Sequence, residues 1–394
     1  MTDNYILYGG PLSWASAKVR SYMHKQGIPF AELPPGNPRY GKNIIPVVKR
    51  NIMPVLETPD GTIIQDTADI IDFFEHGAGA GDKKLPISIT PENGLIKSLT
   101  HFFDMCFYDP LLRPVLHYRW SYPEDNFEYI KNEIAVTFLP PNANDQMKDG
   151  VSKWALDISS SWLKGVGVTE ESMPKVEASY EELLQLLVDH FRVYPFILGG
   201  KPTYADYGLM AALYPHLNRD PYPAKMMRQK APEVARWVER MNGASQYLWG
   251  YTDSSDDLIA ENAIPDTLKK LMGYFAEEYL PEITAHAQFA NDWLADKPEL
   301  EAGTSGLKEL TGVLGRNEFD WRGIKLKTSV RMYNFYMLQR FQDSVAAASE
   351  SEQQAIRSLF EETGVTAFLD LKLHRRVERK NHLEVWGADL RPGQ

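Results

Sequence analysis

The chain has one cysteine, Cys106, in 394 residues, so it forms no internal disulfide and no cysteine-rich metal site. Its 9 histidines are scattered and none has His-Glu-x-x-His spacing, which leaves a metal enzyme without support and sets the expectation of no metal. Positive charge is also short. Lys and Arg number 42 against 53 Asp and Glu, a formal net charge of −11, and no basic face is available to displace counterions from a phosphate backbone. Nucleic acid is therefore not an expected partner. No run of about eighteen apolar residues occurs. The opening MTDNYILYGG lacks a basic n-region and a long apolar h-region, so the expectation is a cytoplasmic protein with no membrane partner. What is present is 43% hydrophobic content, enough for real cores, over a length that suggests two or three domains.

The most informative stretch is 45–76, IIPVVKRNIMPVLETPDGTIIQDTADIIDFFEH. Val55 to Thr58, the turn Pro59-Asp60-Gly61 and Thr62 to Ile64 read as a short hairpin, because Asp-Gly supplies the positive φ a tight reversal needs. Asp66 and Thr67 then open a helix with Ile70, Ile71, Phe73 and Phe74 on one side and Asp69, Asp72 and Glu75 on the other. Upstream, Tyr5 to Tyr8 reads as a strand and Gly9-Gly10-Pro11 as the loop that ends it. Ser13 leads into a helix stopped by Gly27, with Pro29 beyond. Between them PPGNPRYGKNIIPVVKR carries four prolines and two glycines, which predicts an irregular segment.

Strand, Gly-Pro loop, Ser13 and helix, then Pro54 leading a hairpin and an acid-hydroxyl pair opening a second helix, resemble the glutathione-binding half of a glutathione S-transferase. The fold this implies is an α/β thioredoxin-like N-terminal domain, followed by an all-α C-terminal domain. In that family the proline is cis and the residue before it pairs its backbone with the cysteinyl part of glutathione, which implies those roles for Pro54 and Met53. The acid-hydroxyl pair grips the γ-glutamyl end, a role that falls to Asp66 and Thr67. A helix start offers free N–H groups and a positive dipole end to a carboxylate, and Asp66 can take the ammonium; the plainer role of Asp66 is that of an ordinary helix cap. The resemblance also implies that Lys42 or Lys49 holds the glycyl carboxylate, although loop cations are more often simply solvated.

Ser13 stands where the family's loop residue contacts the glutathione sulfur. A thiol with a pKa of about 8.5 is only a few per cent thiolate at pH 7, and the thiolate is the nucleophile. A hydroxyl donating to the sulfur beside helix N-terminal N–H groups stabilises that charge, so Ser13 would activate and not itself attack. Tyr8, at the end of the first strand, and Ser16 are the alternative activators. A helix cap with no catalytic part is the plain reading of Ser13.

From Pro91 to about 245 the periodicity is helical. Residues 95–120, LIKSLTHFFDMCFYDPLLRPVLHYRW, are bent by Pro110 and Pro114. Phe102, Phe103 and Phe107 are expected in the core. Tyr108, Tyr118 and Trp120 each carry a polar edge, and with Trp14 they are candidates for a wall of the substrate pocket. Thr203 with Asp206, in GGKPTYADYG, opens a further helix and resembles the folding element of the transferase second domain.

The expected domains are 1–78, thioredoxin-like and glutathione-binding; 91–245, helical and substrate-binding; and 246–394, a mainly helical C-terminal extension with a possible small hairpin, as in longer bacterial members of the family. Residues 77–90, rich in glycine, read as a linker. Pro265 to Leu294 reads as one long amphipathic helix, GVLGRNEFDWRGIKLK as a hairpin about Trp321-Arg322-Gly323, and the basic LKLHRRVERKNHLEVW as a solvated helix or edge strand. The function implied is glutathione-dependent transfer to a hydrophobic electrophilic small molecule, as conjugation in detoxification or as ether cleavage, dehalogenation or isomerisation, in a homodimer. The alternative is a non-catalytic transferase-like binding or scaffold protein.

Overall fold

Strand β1, Tyr5–Tyr8, pairs in parallel with β2, Phe30–Leu33, and antiparallel with β3, Val55–Glu57, which in turn pairs with β4, Ile63–Gln65. Helix α1, Trp14–Lys25, connects the first two strands, the direction change that a parallel pair requires. A π-helical turn, Tyr40–Ile44, runs into the short α2, Ile45–Val48, before β3, and α3, Thr67–Glu75, follows β4. The computed structural model describes residues 4–77, 79, 85–245, 248–251 and 255–390. Of the stretch read as a linker, residues 78 and 80–84 lie outside the described residues, as do the first three residues of the opening stretch and positions 391–394.

The helical turns at 40–48 correct the expectation of an irregular segment. Pro34, Pro35 and Pro38 all precede the helical turns, and Pro46 falls at the start of α2, where a missing N–H breaks no helical bond. Tyr40, Ile44 and Val48 bury their apolar side against Ile6, Tyr8 and Val55 on one face of the sheet. Leu7 and Leu56 alternate to the other face and are fully buried. Tyr22 of α1 and Phe74 of α3 are in ring contact there, and the Tyr22 hydroxyl donates to Glu75 at 2.7 Å.

The remaining elements are α4, Gly94–Tyr108; α5, Leu112–Trp120; α6, Pro123–Phe138; α7, Asp145–Gly165; α8, Met173–Phe191; α9, Tyr204–Ala212; α10, Pro221–Lys230; and α11, Pro232–Asn242. They are followed by α12, Asp266–Glu278; α13, Leu280–Ala295; the hairpin β5, Val313–Trp321, and β6, Ile324–Arg331; α14, Met332–Ala346; α15, Glu350–Glu362; α16, Ala367–Asp370; and the hairpin β7, Arg375–Lys380, and β8, Leu383–Asp389. Helix α9 begins one residue after Thr203 and carries Asp206 in its first turn, where the folding element was expected. The single helix expected over 265–294 is two, because Pro281 cannot continue α12 and instead takes a place at the start of α13. The basic C-terminal stretch is a β-hairpin turned by Asn381 and His382, both at positive φ.

The chain divides into two compact units. The first is Met1–Ile89, Val115–Ser161 and Asp206–Ser254; the second is Thr90–Pro114, Trp162–Ala205 and Ser255–Gln394. Within the second unit, Phe102 of α4 lies edge-on to Phe341, Phe360 and Phe368 from the C-terminal elements, and Phe103 and Phe107 are also fully buried, as expected of core residues. The apolar side of α4 is thus filled by the extension.

His190 of α8 is fully buried in this unit, with Nε2 at 3.0 Å from the Ile197 carbonyl and 3.3 Å from that of Phe196, and Nδ1 at 2.9 Å from Thr267 Oγ1. A carbonyl only accepts, so Nε2 bears the proton, Nδ1 accepts from the threonine, and the ring is neutral. Burial pulls its pKa down to about 4 against the upward pull of the two carbonyls. Unfolded, the ring takes a proton at its ordinary pKa of about 6.5, so the unfolded state binds the extra proton first as pH falls and stability is lost below that value. Between pH 7 and pH 5 the loss expected from this group is about 2 kcal/mol, read as a falling urea midpoint. His190→Gln should flatten that slope; an unchanged slope in the variant refutes the assignment.

Candidate functional site

The strand register gathers residues that lie far apart in sequence. Tyr8 pairs with Val55 and Val55 with Gln65. Continuing each antiparallel ladder by one step places Gly9, Pro54 and Asp66 in one row at one end of the sheet. The Met53–Pro54 peptide is cis. Because β1 and β4 run in the same direction, α1 and α3 both begin at this end and present their N-termini there.

Ser13 is the N-cap of α1, with extended φ and ψ of −84° and 118°, and its Oγ accepts from the Ser16 N–H at 3.1 Å. Its own hydroxyl proton remains available to donate. Asp66 caps α3 by accepting from the Ala68 N–H at 2.9 Å, and its backbone stands at φ 101°, ψ 149°. A non-glycine residue in that region carries strain of order 1–3 kcal/mol, a cost that structures retain where a backbone position serves a site. Both Asp66 and its neighbour Thr67 are buried.

The two alternative activators are placed differently. The Tyr8 hydroxyl is buried and donates to Glu57 Oε2 at 2.6 Å, while Arg39 Nε donates to the Tyr8 oxygen at 3.0 Å and Arg39 Nη2 to Glu57 Oε1 at 2.6 Å. Burial and the Glu57 carboxylate both push the Tyr8 pKa up, so its proton stays on the ring and is committed within the protein. Burial opposes ionisation of Glu57 as well, but Arg39 and Tyr8 outweigh it and hold the carboxyl below its usual range. Ser16 is fully buried, its hydroxyl has no hydrogen-bond partner, and it lies so close to Gly9 that a Cβ there would stand 2.8 Å from its Oγ. Ser13 is the half-buried member of the three.

Of the four cations in this segment, Arg39 is tied to Glu57 and Arg50 donates to Gln65 at 3.3 Å, whereas Lys42 and Lys49 are exposed. Lys49 ends α2 in the left-handed region at φ 63°. Trp14 opens α1 and is half-buried. Trp120 packs, with Tyr129 and Phe138, on a cluster of Leu12, Ile130, Ile134 and Ala155, so an apolar wall from α6 and α7 stands beside the residue preceding Ser13. Tyr118 is stacked at 5.8 Å on Tyr122 and is core. Tyr108 belongs to the second unit, its ring 5.4 Å from Tyr333, so the register row does not include it. Sequence reading missed Leu12, the α6 wall and the Tyr8–Glu57–Arg39 group. The i, i+4, i+8 spacing of Ile130, Ile134 and Phe138 is the one signal that pointed to the wall.

Among the described residues no group of three or more His, Cys, Asp and Glu is arranged to hold a metal ion, and no helix is long and apolar enough to cross a membrane. Cys106 is buried, and burial pushes its thiol pKa up, the reverse of what a thiolate nucleophile needs.

A mixed four-stranded sheet with helices on both faces, succeeded by a helical domain, defines the class: a thioredoxin-like domain with an all-α partner domain and a further, mainly helical region. Residues 7–81 match the glutathione S-transferase N-terminal domain and residues 164–244 the glutathione S-transferase C-terminal domain, and over these two domains the chain belongs to the glutathione S-transferase family. Among solved structures it is similar to a glutathione S-transferase from Rhodospirillum rubrum F11, at 14% identity and TM-score 0.40 over 67% of this chain and 97% of that one. It is also similar to the beta-etherase LigF from Sphingobium sp. strain SYK-6, at 14% identity and TM-score 0.37 over 61% and 95% of the two chains. A third is glutathione transferase F7 from Populus trichocarpa, at 19% identity and TM-score 0.34 over 60% and 92%. No curated protein matches the chain.

Proposed function

We propose that the protein is a glutathione-dependent transferase whose Ser13 hydroxyl stabilises the glutathione thiolate for attack on a hydrophobic electrophile. The observation that carries this reading is the row Gly9–Pro54–Asp66, with two helix N-termini at the same sheet end and Ser13 capping one of them. Met53 offers its backbone to the cysteinyl part, Asp66 takes the ammonium of the γ-glutamyl end, and Thr67 and the α3 N–H groups take its carboxylate. Exposed Lys42 and Lys49 are the cations available to the glycyl carboxylate. Bound there, glutathione supplies the nucleophilic sulfur. The Leu12 and α6 wall excludes water on the side from which an apolar electrophile approaches. Conjugation, ether cleavage, dehalogenation and isomerisation share that first requirement.

Calorimetric titration of the full chain with glutathione tests the pocket. The expected result is saturable binding of one glutathione per chain, weakened about tenfold or more in Asp66→Asn, which keeps the helix cap but removes the charge. No heat at millimolar glutathione refutes the reading and leaves a transferase-like scaffold.

A further inference from the structure

Tyr40 opens the π-helical turn that precedes α2 and is buried. Its ring stands 5.7 Å from that of Tyr8 and packs with Ile44, Val48 and Val55 on the sheet. The hydroxyl at its tip reaches Ile52, 12 residues further along the chain, donating to the Ile52 carbonyl at 2.7 Å and accepting from the Ile52 N–H at 2.9 Å. One phenol thus meets both backbone groups of one residue. Ile52 lies outside any helix or strand, where regular structure supplies no such partners. Burial pushes the Tyr40 pKa above its ordinary value against the downward pull of the Ile52 backbone, so the donated proton is present at neutral pH.

The next residue, Met53, is oriented by this clamp. The cis bond of the stretch is Met53–Pro54, so the Ile52 carbonyl and the Met53 N–H share a planar trans peptide and point in opposite directions. Held by its carbonyl, that peptide turns the Met53 N–H away from the Tyr40 hydroxyl. The Ile52 side chain packs on the same cluster as the Tyr40 ring, and Arg50 donates to Gln65, the neighbour of Asp66, at 3.3 Å. The segment that carries Met53 is therefore fixed before a ligand arrives, and a backbone set in its bound geometry binds more tightly because less ordering is left to do.

We propose that Tyr40 is a positioning residue for the glutathione site: its hydroxyl sets the Ile52–Met53 peptide so that the Met53 N–H meets the cysteinyl part of the tripeptide. This rests on the glutathione reading above. Tyr40 itself touches neither the sulfur nor the electrophile in this role, so it governs affinity and leaves the chemical step to Ser13.

Tyr40→Phe keeps the ring and removes the clamp. Two probes are titrated calorimetrically into the full chain: glutathione, and γ-glutamyl-2-aminobutyryl-glycine, which keeps the tripeptide backbone and lacks the sulfur. Tyr40→Phe is expected to weaken both by the same factor, about fivefold or more. In turnover of a chlorinated nitroarene, the KM for glutathione should rise by that factor while kcat stays within about twofold. Ile6→Ala is the control: it thins the same cluster without touching the Ile52 backbone, should lower the urea midpoint at least as far, and should keep glutathione affinity within about twofold. If wild type binds glutathione, then unchanged affinity in Tyr40→Phe, a loss confined to the sulfur-bearing probe, an equal loss in Ile6→Ala, or a fall in kcat as large as the rise in KM each overturns the role of Tyr40 alone. No binding of either probe by wild type overturns the glutathione reading and this proposal with it.

Discussion

Replacing Arg113 by methionine is expected to destabilise the protein by about 3–5 kcal/mol, because it leaves one buried carboxylate, that of Glu282, without a cation. The Arg113 side chain is 2% exposed and donates from Nη1 to Glu278 at 2.8 Å, from Nη2 to Glu282 at 2.6 Å and from Nε to the Val166 carbonyl at 3.1 Å. Its guanidinium also lies 4.7 Å from the Trp321 ring centroid, tying the β5–β6 hairpin to the helices beneath it. Once the arginine is gone, Glu278 keeps Arg322 at 3.0 Å and the Ser179 hydroxyl at 2.6 Å. Glu282 keeps only the Thr328 hydroxyl at 2.6 Å and His286, whose ring burial holds neutral. The second change Glu282→Gln should therefore return part of the loss, since it removes the charge left without a cation. Guanidinium denaturation of the two variants and wild type measures both quantities. A loss below about 1 kcal/mol for Arg113→Met would show that the pair is dispensable.

Ser13→Ala is expected to lower turnover of a chlorinated nitroarene with glutathione by about 10²–10³-fold, the effect of deleting one donor to a developing or resident anion. The same variant loses a helix cap, worth about 1 kcal/mol of stability, so rate alone does not separate the two roles. The thiolate absorbance of bound glutathione does: its apparent pKa should rise towards the free value of about 8.5 in Ser13→Ala and stay depressed in Ser13→Thr, which keeps a hydroxyl. Tyr8→Phe serves as the comparison. It removes the donor to Glu57 and should change the rate by no more than about twofold, because that proton is already committed. Equal losses in Tyr8→Phe and Ser13→Ala would reject Ser13 as the activator.

Much of the first domain was legible before any coordinates. The Asp60-Gly61 reversal, the Asp66 cap and the strand-loop-serine start are local devices, in which a few adjacent residues settle the backbone, and each stands where the pattern placed it. The hairpin about Arg322 and Gly323 is of the same kind. Misreadings fell where proline position mattered more than proline count. Pro46 at a helix start permitted helical turns in a stretch expected to be irregular, and Pro281 divided a helix expected to be whole.

The sequence by itself determined the elements and the charge balance, because turn chemistry, capping and apolar period act over a few residues at a time. Only the tertiary structure decided which distant residues meet. Strand register set Pro54 between Gly9 and Asp66, burial committed the Tyr8 proton to Glu57, and packing filled the face of α4 with Phe341, Phe360 and Phe368 from the C-terminal elements. Register and packing depend on contacts between residues far apart in the chain, and no local pattern encodes them.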